Sequence, residues 1–416
     1  MRTLMTSLAL AILAGGVASG QQQKDLEILA LVDHYDFYNV REPKDRSKFM
    51  FDTETAKGCE DILKHVLLTG ATSVLWRPCS GSVMRYHSDE ERFPLVVTPT
   101  DKRRVHQNES AVNGFISYNT AKIDIIREMM ASIAASGRVP GVHWPFEETH
   151  HMGWTFGAWN LEHPEYWGVT KTGQVWSGRT SLAYPAVSDH KMRILEELLE
   201  RGARHIFIDA WRSGSWSPRF EYVKPELERW KARYGTEPPS DSRDPVWCKF
   251  VSETQHAWFK RVKKRLESEK IPLTLGVQLV GDPDDPRDQT LISRGIDWRV
   301  LVDEGVLDGL VVMGIAWDVK DPFGSTEKIY RDIVARCKGK CKVYFPIQAY
   351  DFTRKSFHSY AKATELTIAE VTAKLLELTR DSGADGVVLE VVDYNNYPRA
   401  VRRELRKVSP YKSIED

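Results

Sequence analysis

The chain has 416 residues and carries 58 basic and 58 acidic side chains. That balance excludes a nucleic-acid backbone or an anionic membrane as a partner drawn by bulk charge. The length suits one barrel with long loops, or two domains.

The N-terminus has one early positive charge, Arg2, then an apolar run from Leu4 to Val17 and the small residues Ala18-Ser19-Gly20 before Gln21. This pattern predicts a secretory leader over residues 1–20, cleaved near Gly20, and a secreted or periplasmic protein. The run is too short for a comfortable bilayer span, and no later apolar stretch is long enough. Residues 21–416 then read as one domain.

Strand–helix units follow in regular succession. Strand one is Leu26–Asp33 and its helix Thr53–Leu68; strand two is Ser73–Trp76. A long polar loop, 78–118, precedes a helix over Thr120–Ser136 and strand three, Val139–Trp144. A second long loop, 145–183, holds Trp154, Trp159, Trp167 and Trp176; helix Ser188–Arg201 and strand four, His205–Ala210, come next. The third long loop, 211–243, contains Pro218, Pro225, Pro238 and Pro239. Helix Pro245–Glu269 leads to strand five, Leu273–Leu279, and a short helix, Trp298–Glu304, to strand six, Gly309–Met313. Helix Thr326–Cys337 precedes strand seven, Lys342–Ile347; helix Thr367–Ser382 precedes strand eight, Gly386–Val391; helix Pro398–Lys407 closes the series.

Short apolar runs without alternation fit strands buried on both faces. Eight such units fit a closed (β/α)8 TIM barrel, with the long loops after strands two, three and four stacked over one face. An open doubly wound sheet is the alternative. It favours a phosphate loop at an early strand-to-helix turn, and the chain has no GxGxxG or Walker sequence.

One phrase occurs twice. Residues 202–209 read Gly-Ala-Arg-His-Ile-Phe-Ile-Asp, and residues 383–390 read Gly-Ala-Asp-Gly-Val-Val-Leu-Glu. Each follows a charged amphipathic stretch, and each ends an apolar run on a carboxylate. A third copy, Gly305 to Met313, shares the frame and ends on Met. Carboxylates at such positions belong at the C-terminal mouth, where α/β barrels place their chemistry.

The motifs around strand four carry a resemblance. His163-Pro164-Glu165-Tyr166-Trp167, Ser181-Leu-Ala-Tyr184-Pro185 and Ile206-Phe-Ile-Asp209-Ala-Trp-Arg212 resemble the glycosyl-hydrolase-like family 10 group of secreted TIM-barrel proteins. The similarity continues through Phe220-Glu-Tyr222, Pro225-Glu226, Arg233-Tyr-Gly235 and Pro245-Val-Trp247 to Asp297-Trp298, Asp308-Gly309 and Val312-Met313. It implies a (β/α)8 fold and glycoside hydrolysis, and leaves the substrate open.

Glycoside hydrolysis needs two carboxylates flanking the bond: one protonates the leaving oxygen, the other attacks the sugar or activates water. The residues read for this work are Asp209, as nucleophile or charge stabiliser, and Glu390 or Asp318, as general acid. Sugar rings pack their C–H faces on aromatic planes while their hydroxyls seek carboxylates, Arg, His and amides. On that ground the substrate-binding set is His34, Trp76, His143, Trp144, Glu147, Trp211, Arg212, Gln278, Trp317, Gln348 and Asp351. The expected partner is therefore a carbohydrate, and no cofactor is implied.

Two other classes stay open: a non-catalytic carbohydrate-binding barrel, and a metal-dependent hydrolase using Glu147, His150 and His151. The spacing of the latter is not HExxH, so no metal is expected. Of the five cysteines, Cys337 and Cys341 flank a plausible turn and could bridge in an oxidising compartment; Cys59 with Cys79 is a weaker pairing.

Overall fold

In the computed structural model, eight parallel strands close into a ring. They are β1 (Glu27–Val32), β2 (Ser73–Trp76), β3 (Val139–Pro145), β4 (Ile206–Asp209), β5 (Leu273–Gln278), β6 (Gly309–Gly314), β7 (Lys342–Gln348) and β8 (Gly386–Glu390). Round the ring the order is β1-β8-β7-β6-β5-β4-β3-β2, and β1 pairs with both β2 and β8. The closed (β/α)8 architecture read from the sequence is the one observed. The structure describes residues 24–33, 37, 40, 42, 44–45, 47–48, 50–51, 55–80, 83–84, 86–90, 123–145, 157–210, 217–278, 289–314, 318–348, 357–390, 392 and 396–412.

The helix that leads into each next strand is, in order, α1 (Ala56–Leu67), α2 (Ile125–Ala135), α3 (Pro185–Glu200), α4 (Pro245–Glu267), α5 (Trp298–Asp303), α6 (Pro322–Cys337) and α7 (Ile368–Asp381), with α8 (Arg399–Val408) after β8. Their starts are written locally. Thr55 caps α1, Asp244 caps α4, and Thr367 with Glu370 forms a capping box on α7, each satisfying amide groups that the first turn leaves open.

Side chains alternate along each strand between the helices and the barrel axis. Ile28, Ala30, Val32, Val74, Trp76, Val142, Trp144, Ile206 and Ile208 point outward and pack with the helices in one buried cluster. Leu29, Leu31, Leu75, Phe207, Val311, Met313, Tyr344 and Val388 fill the axis as a second cluster. Large residues there need small ones opposite. A Cβ on Gly276 would lie 2.7 Å from the Phe207 ring, so only glycine leaves room for that ring.

The floor of the barrel is polar. The Tyr344 hydroxyl donates to Glu27 (2.7 Å), Lys342 pairs with Glu27, and His205 Nε2 lies 3.1 Å from Thr274 Oγ1. Burial holds the His205 imidazole down at about 4.

The loop stretches hold more structure than their composition suggests. Within 145–183 the chain forms a short helix, Ala158–Glu162, and an antiparallel ribbon of Trp167–Val169 with Val175–Thr180. Within 211–243 it forms a helix, Lys224–Tyr234. Pro225 sits in that helix's first turn, where its missing N–H costs nothing, and Gly235 ends it at φ 69°. Two more helices, Gln289–Arg294 and Phe357–Thr364, lie after β5 and β7. Cys337 and Cys341 are neighbouring thiols rather than a bridge, and no disulfide joins Cys59 to Cys79. No described helix is long and apolar enough to cross a membrane.

Candidate active site

The alternation that buries Phe207 inside the barrel also turns Asp209 inward, two residues further at the C-terminal end of β4. His143 does the same on the neighbouring strand β3. Its Nε2 lies 2.8 Å from Asp209 Oδ2, and both side chains are 0% exposed. A contact of that length needs one proton between the two atoms. The Phe207 ring packs against the imidazole at a centroid distance of 5.2 Å and fixes its plane. A carboxylate so removed from water is held by such partners or not at all.

Glu390 ends β8 in the equivalent register and is 4% exposed. The Gln348 amide, at the end of β7, donates to Glu390 Oε2 (2.9 Å) and to the Met313 carbonyl of β6 (2.7 Å). One amide thereby ties three strand ends together. The Tyr397 hydroxyl donates to the Ile347 carbonyl (2.7 Å) and fixes the backbone beside it.

On the remaining arc, Asp33 and Arg77 stand immediately beyond β1 and β2. Arg77 Nη1 donates to Asp33 Oδ2 (2.9 Å) and its Nε to the Cys79 carbonyl (2.9 Å), with both side chains buried. The inward residues at the mouth are therefore Asp33, Arg77, His143, Asp209, Gln278, Met313, Gln348 and Glu390, one per strand. Strands β4 and β8 are four places apart in the ring of eight in either direction. Asp209 and Glu390 thus stand on opposite walls of the same mouth.

The rim over β3 and β4 is held by contacts of its own. Glu221, 1% exposed, accepts from the Ser181 hydroxyl and pairs through its backbone with Val169 of the ribbon. Trp159 stacks on His190 with ring centroids 3.9 Å apart, and the Trp167 indole donates to the Asn160 carbonyl. Trp159 thereby packs the loop onto α3 and the outer core, and Trp167 ties the loop to itself, as ordered long loops require.

Several sequence-based assignments change. Trp76 and Trp144 are not sugar platforms. They occupy outward positions, 0% and 4% exposed, and Trp144 meets Trp258 of α4 edge-on at 6.3 Å. His143 and Gln348 are at the mouth, but each is buried against a carboxylate and orients it. Asp318 is exposed: its Oδ1 accepts from the Lys320 amide (2.9 Å) and its own amide donates to Ser325 Oγ (2.8 Å). It shapes the turn into α6 and does not join the buried acids. Gln278 is half-buried, with its backbone N–H and C=O both held by Thr290 Oγ1 (3.0 and 2.9 Å). His34, Glu147, Trp211, Arg212, Trp317 and Asp351 lie outside the described residues.

Arg77 was missed by the sequence reading, although counting by twos from Leu75 points to it. Among the described residues no group of three or more His, Cys, Asp or Glu side chains is placed to hold a metal ion.

No protein-family model matches the chain, and no curated protein matches it in sequence. Solved structures do match. The β-galactosidase of the psychrophilic Marinomonas ef1 is 9% identical with a TM-score of 0.52, over 92% of this chain and 59% of that one. The spore cortex-lytic enzyme SleL of Bacillus megaterium QM B1551 is 10% identical with a TM-score of 0.46, over 94% and 75% of the two chains. Catalytic domain 2 of the Group II chitinase of Ostrinia furnacalis is 9% identical with a TM-score of 0.47, over 92% and 96%. At such identities the likeness is one of fold.

Proposed function

We propose that the protein is a glycoside hydrolase whose working carboxylates are Asp209 and Glu390. One observation carries the reading: two buried acids, each gripped by a neutral or shared-proton partner, face each other across one barrel mouth. A saccharide laid over that mouth has a carboxyl group on either side of a glycosidic bond, the arrangement that bond cleavage needs. Asp209, steadied by His143, serves as nucleophile or charge stabiliser. Glu390, aimed by Gln348, serves as the proton donor to the leaving oxygen. The motifs around strand four support placement with the glycosyl-hydrolase-like family 10 group, and the apolar N-terminal run supports export before action.

The test is a broad glycan panel read by reducing-sugar release, followed by two variants on the substrate found. Asp209→Asn is nearly isosteric and is expected to lose most turnover. Glu390→Gln is expected to lose activity on poor leaving groups and to keep it on aryl glycosides that depart without a proton. Wild-type turnover in Asp209→Asn sinks the assignment. The full burial of Asp209 and His143 favours one second reading, a saccharide-binding barrel without chemistry. Binding with no product released, across the whole panel, selects it.

A further inference from the structure

A cleft of about 320 Å3 opens on the same face as the buried acids, among the segments that follow β3, β4 and β5. That volume is at the lower end of small-ligand sites. Its walls combine an apolar side, Trp176 and Phe220, with three guanidinium side chains, Arg219, Arg243 and Arg294, and three serines. Among the described residues no carboxylate lines it.

Arginines this dense usually answer to acids, and among the described residues the acids flanking Arg243 are engaged by backbone amides. Asp244 accepts from the amides of Val246 and Trp247 at the start of α4, and Asp241 accepts from the Arg243 amide. Arg219 and Arg243 are exposed, and neither makes an ion pair among the described residues. Elsewhere the arginines of the rim are engaged: Arg229 pairs with Glu226 and Glu253, and Arg233 with Glu253. Two guanidinium groups and serine hydroxyls lining one cleft match the planar or tetrahedral oxygens of an anion.

We infer that this cleft is a subsite for an anionic group on the saccharide, a uronate carboxylate or a sulfate ester. The inference rests on the glycoside hydrolase reading for the nature of the ligand, and it specifies the substrate class that reading leaves open. The cleft lies on the β3–β5 arc of the rim, beside the Asp209 wall. A charged sugar held there extends its chain towards the pair of acids. Trp176 and Phe220, packed on one another with centroids 3.5 Å apart, offer the sugar ring an apolar edge, and the arginines read its charge.

The test is calorimetric titration of the full chain with three oligosaccharides of equal length: neutral, uronate-bearing and sulfated. At least one anionic ligand is expected to bind about ten-fold more tightly than the neutral one, and to lose that margin in Arg219→Ala/Arg243→Ala and in high salt. Which anionic ligand holds the margin tells carboxylate from sulfate. The double variant removes exposed side chains and is expected to melt with the wild type. Equal affinity for all three ligands, or an unchanged margin in the double variant, overturns the inference. The two readings fail separately. Charge-selective binding without any hydrolysis sinks the hydrolase and keeps the subsite, whereas hydrolysis of neutral and anionic glycans alike does the reverse.

Discussion

His143 and Asp209 sit on neighbouring strands with 2.8 Å between Nε2 and Oδ2, and neither side chain reaches solvent. His143 is level with Phe207, one layer below Asp209, so on the proposed function it acts through the carboxylate. His143→Gln keeps a hydrogen-bonding group but changes its reach. It is expected to lower kcat about 10²-fold with little change in KM, since misplacing a reacting group by about 1 Å is enough. Steady-state kinetics on the panel-identified substrate check this. A rise in KM with kcat intact makes His143 a binding residue instead.

The Asp33–Arg77 pair is buried on both sides. Removing one partner leaves the other charge stranded, so Arg77→Met is expected to cost about 3–5 kcal/mol of stability. Adding Asp33→Asn to it removes that stranded charge and is expected to recover part of the loss. A double-mutant cycle in urea measures the coupling, and additive losses show that the two side chains act independently.

Gly276→Ala tests the fit of the barrel axis. The new methyl group meets the Phe207 ring at 2.7 Å, and the ring in turn packs on His143. Overpacking of this kind costs about 1–3 kcal/mol. Denaturant unfolding is expected to show that loss, together with reduced turnover. Wild-type stability means that the ring has room to give.

The floor predicts a pH dependence. Burial depresses His205 to about 4, from an ordinary value of 6.5. Between those values the unfolded chain binds the proton and the folded one does not, so stability rises with pH. Read downward, it is lost as pH falls from about 6.5 towards 4, with a slope that approaches about 1.4 kcal/mol per pH unit for this one group. His205→Gln is expected to flatten that slope in urea titrations at pH 7, 6 and 5. An identical slope in variant and wild type assigns the acid sensitivity to other groups.

Export is checked at the N-terminus. Protein recovered outside the producing cell is expected to begin near Gln21. Edman sequencing that finds Met1 intact on exported protein refutes cleavage.

The strands were legible because burial on both faces leaves uninterrupted apolar runs, as in Ile206-Phe-Ile-Asp209, and the carboxylate that ends such a run is conspicuous. What composition does not reveal is which way a side chain points. Trp76 and Arg77 are adjacent in sequence and belong to different environments, one among the helices and the other at the mouth. Applied from Leu75, the two-residue period separates them; residue type alone selects the tryptophan. The helix over Lys224–Tyr234 was hidden for another reason. The prolines of the 211–243 stretch read as loop, yet Pro225 sits where a helix begins. Asp318 shows the opposite error, since a lone acid past a strand end serves a turn as readily as a site.

The ring also sets an order in time. Asp209 is in place once β4 has formed, but Glu390 lies on the last strand, and β8 closes the sheet by pairing back onto β1. A chain cut short before β8 has the first acid and lacks the second. On the proposed function, which needs both carboxylates, the site is complete only in the closed ring, where the two walls face each other.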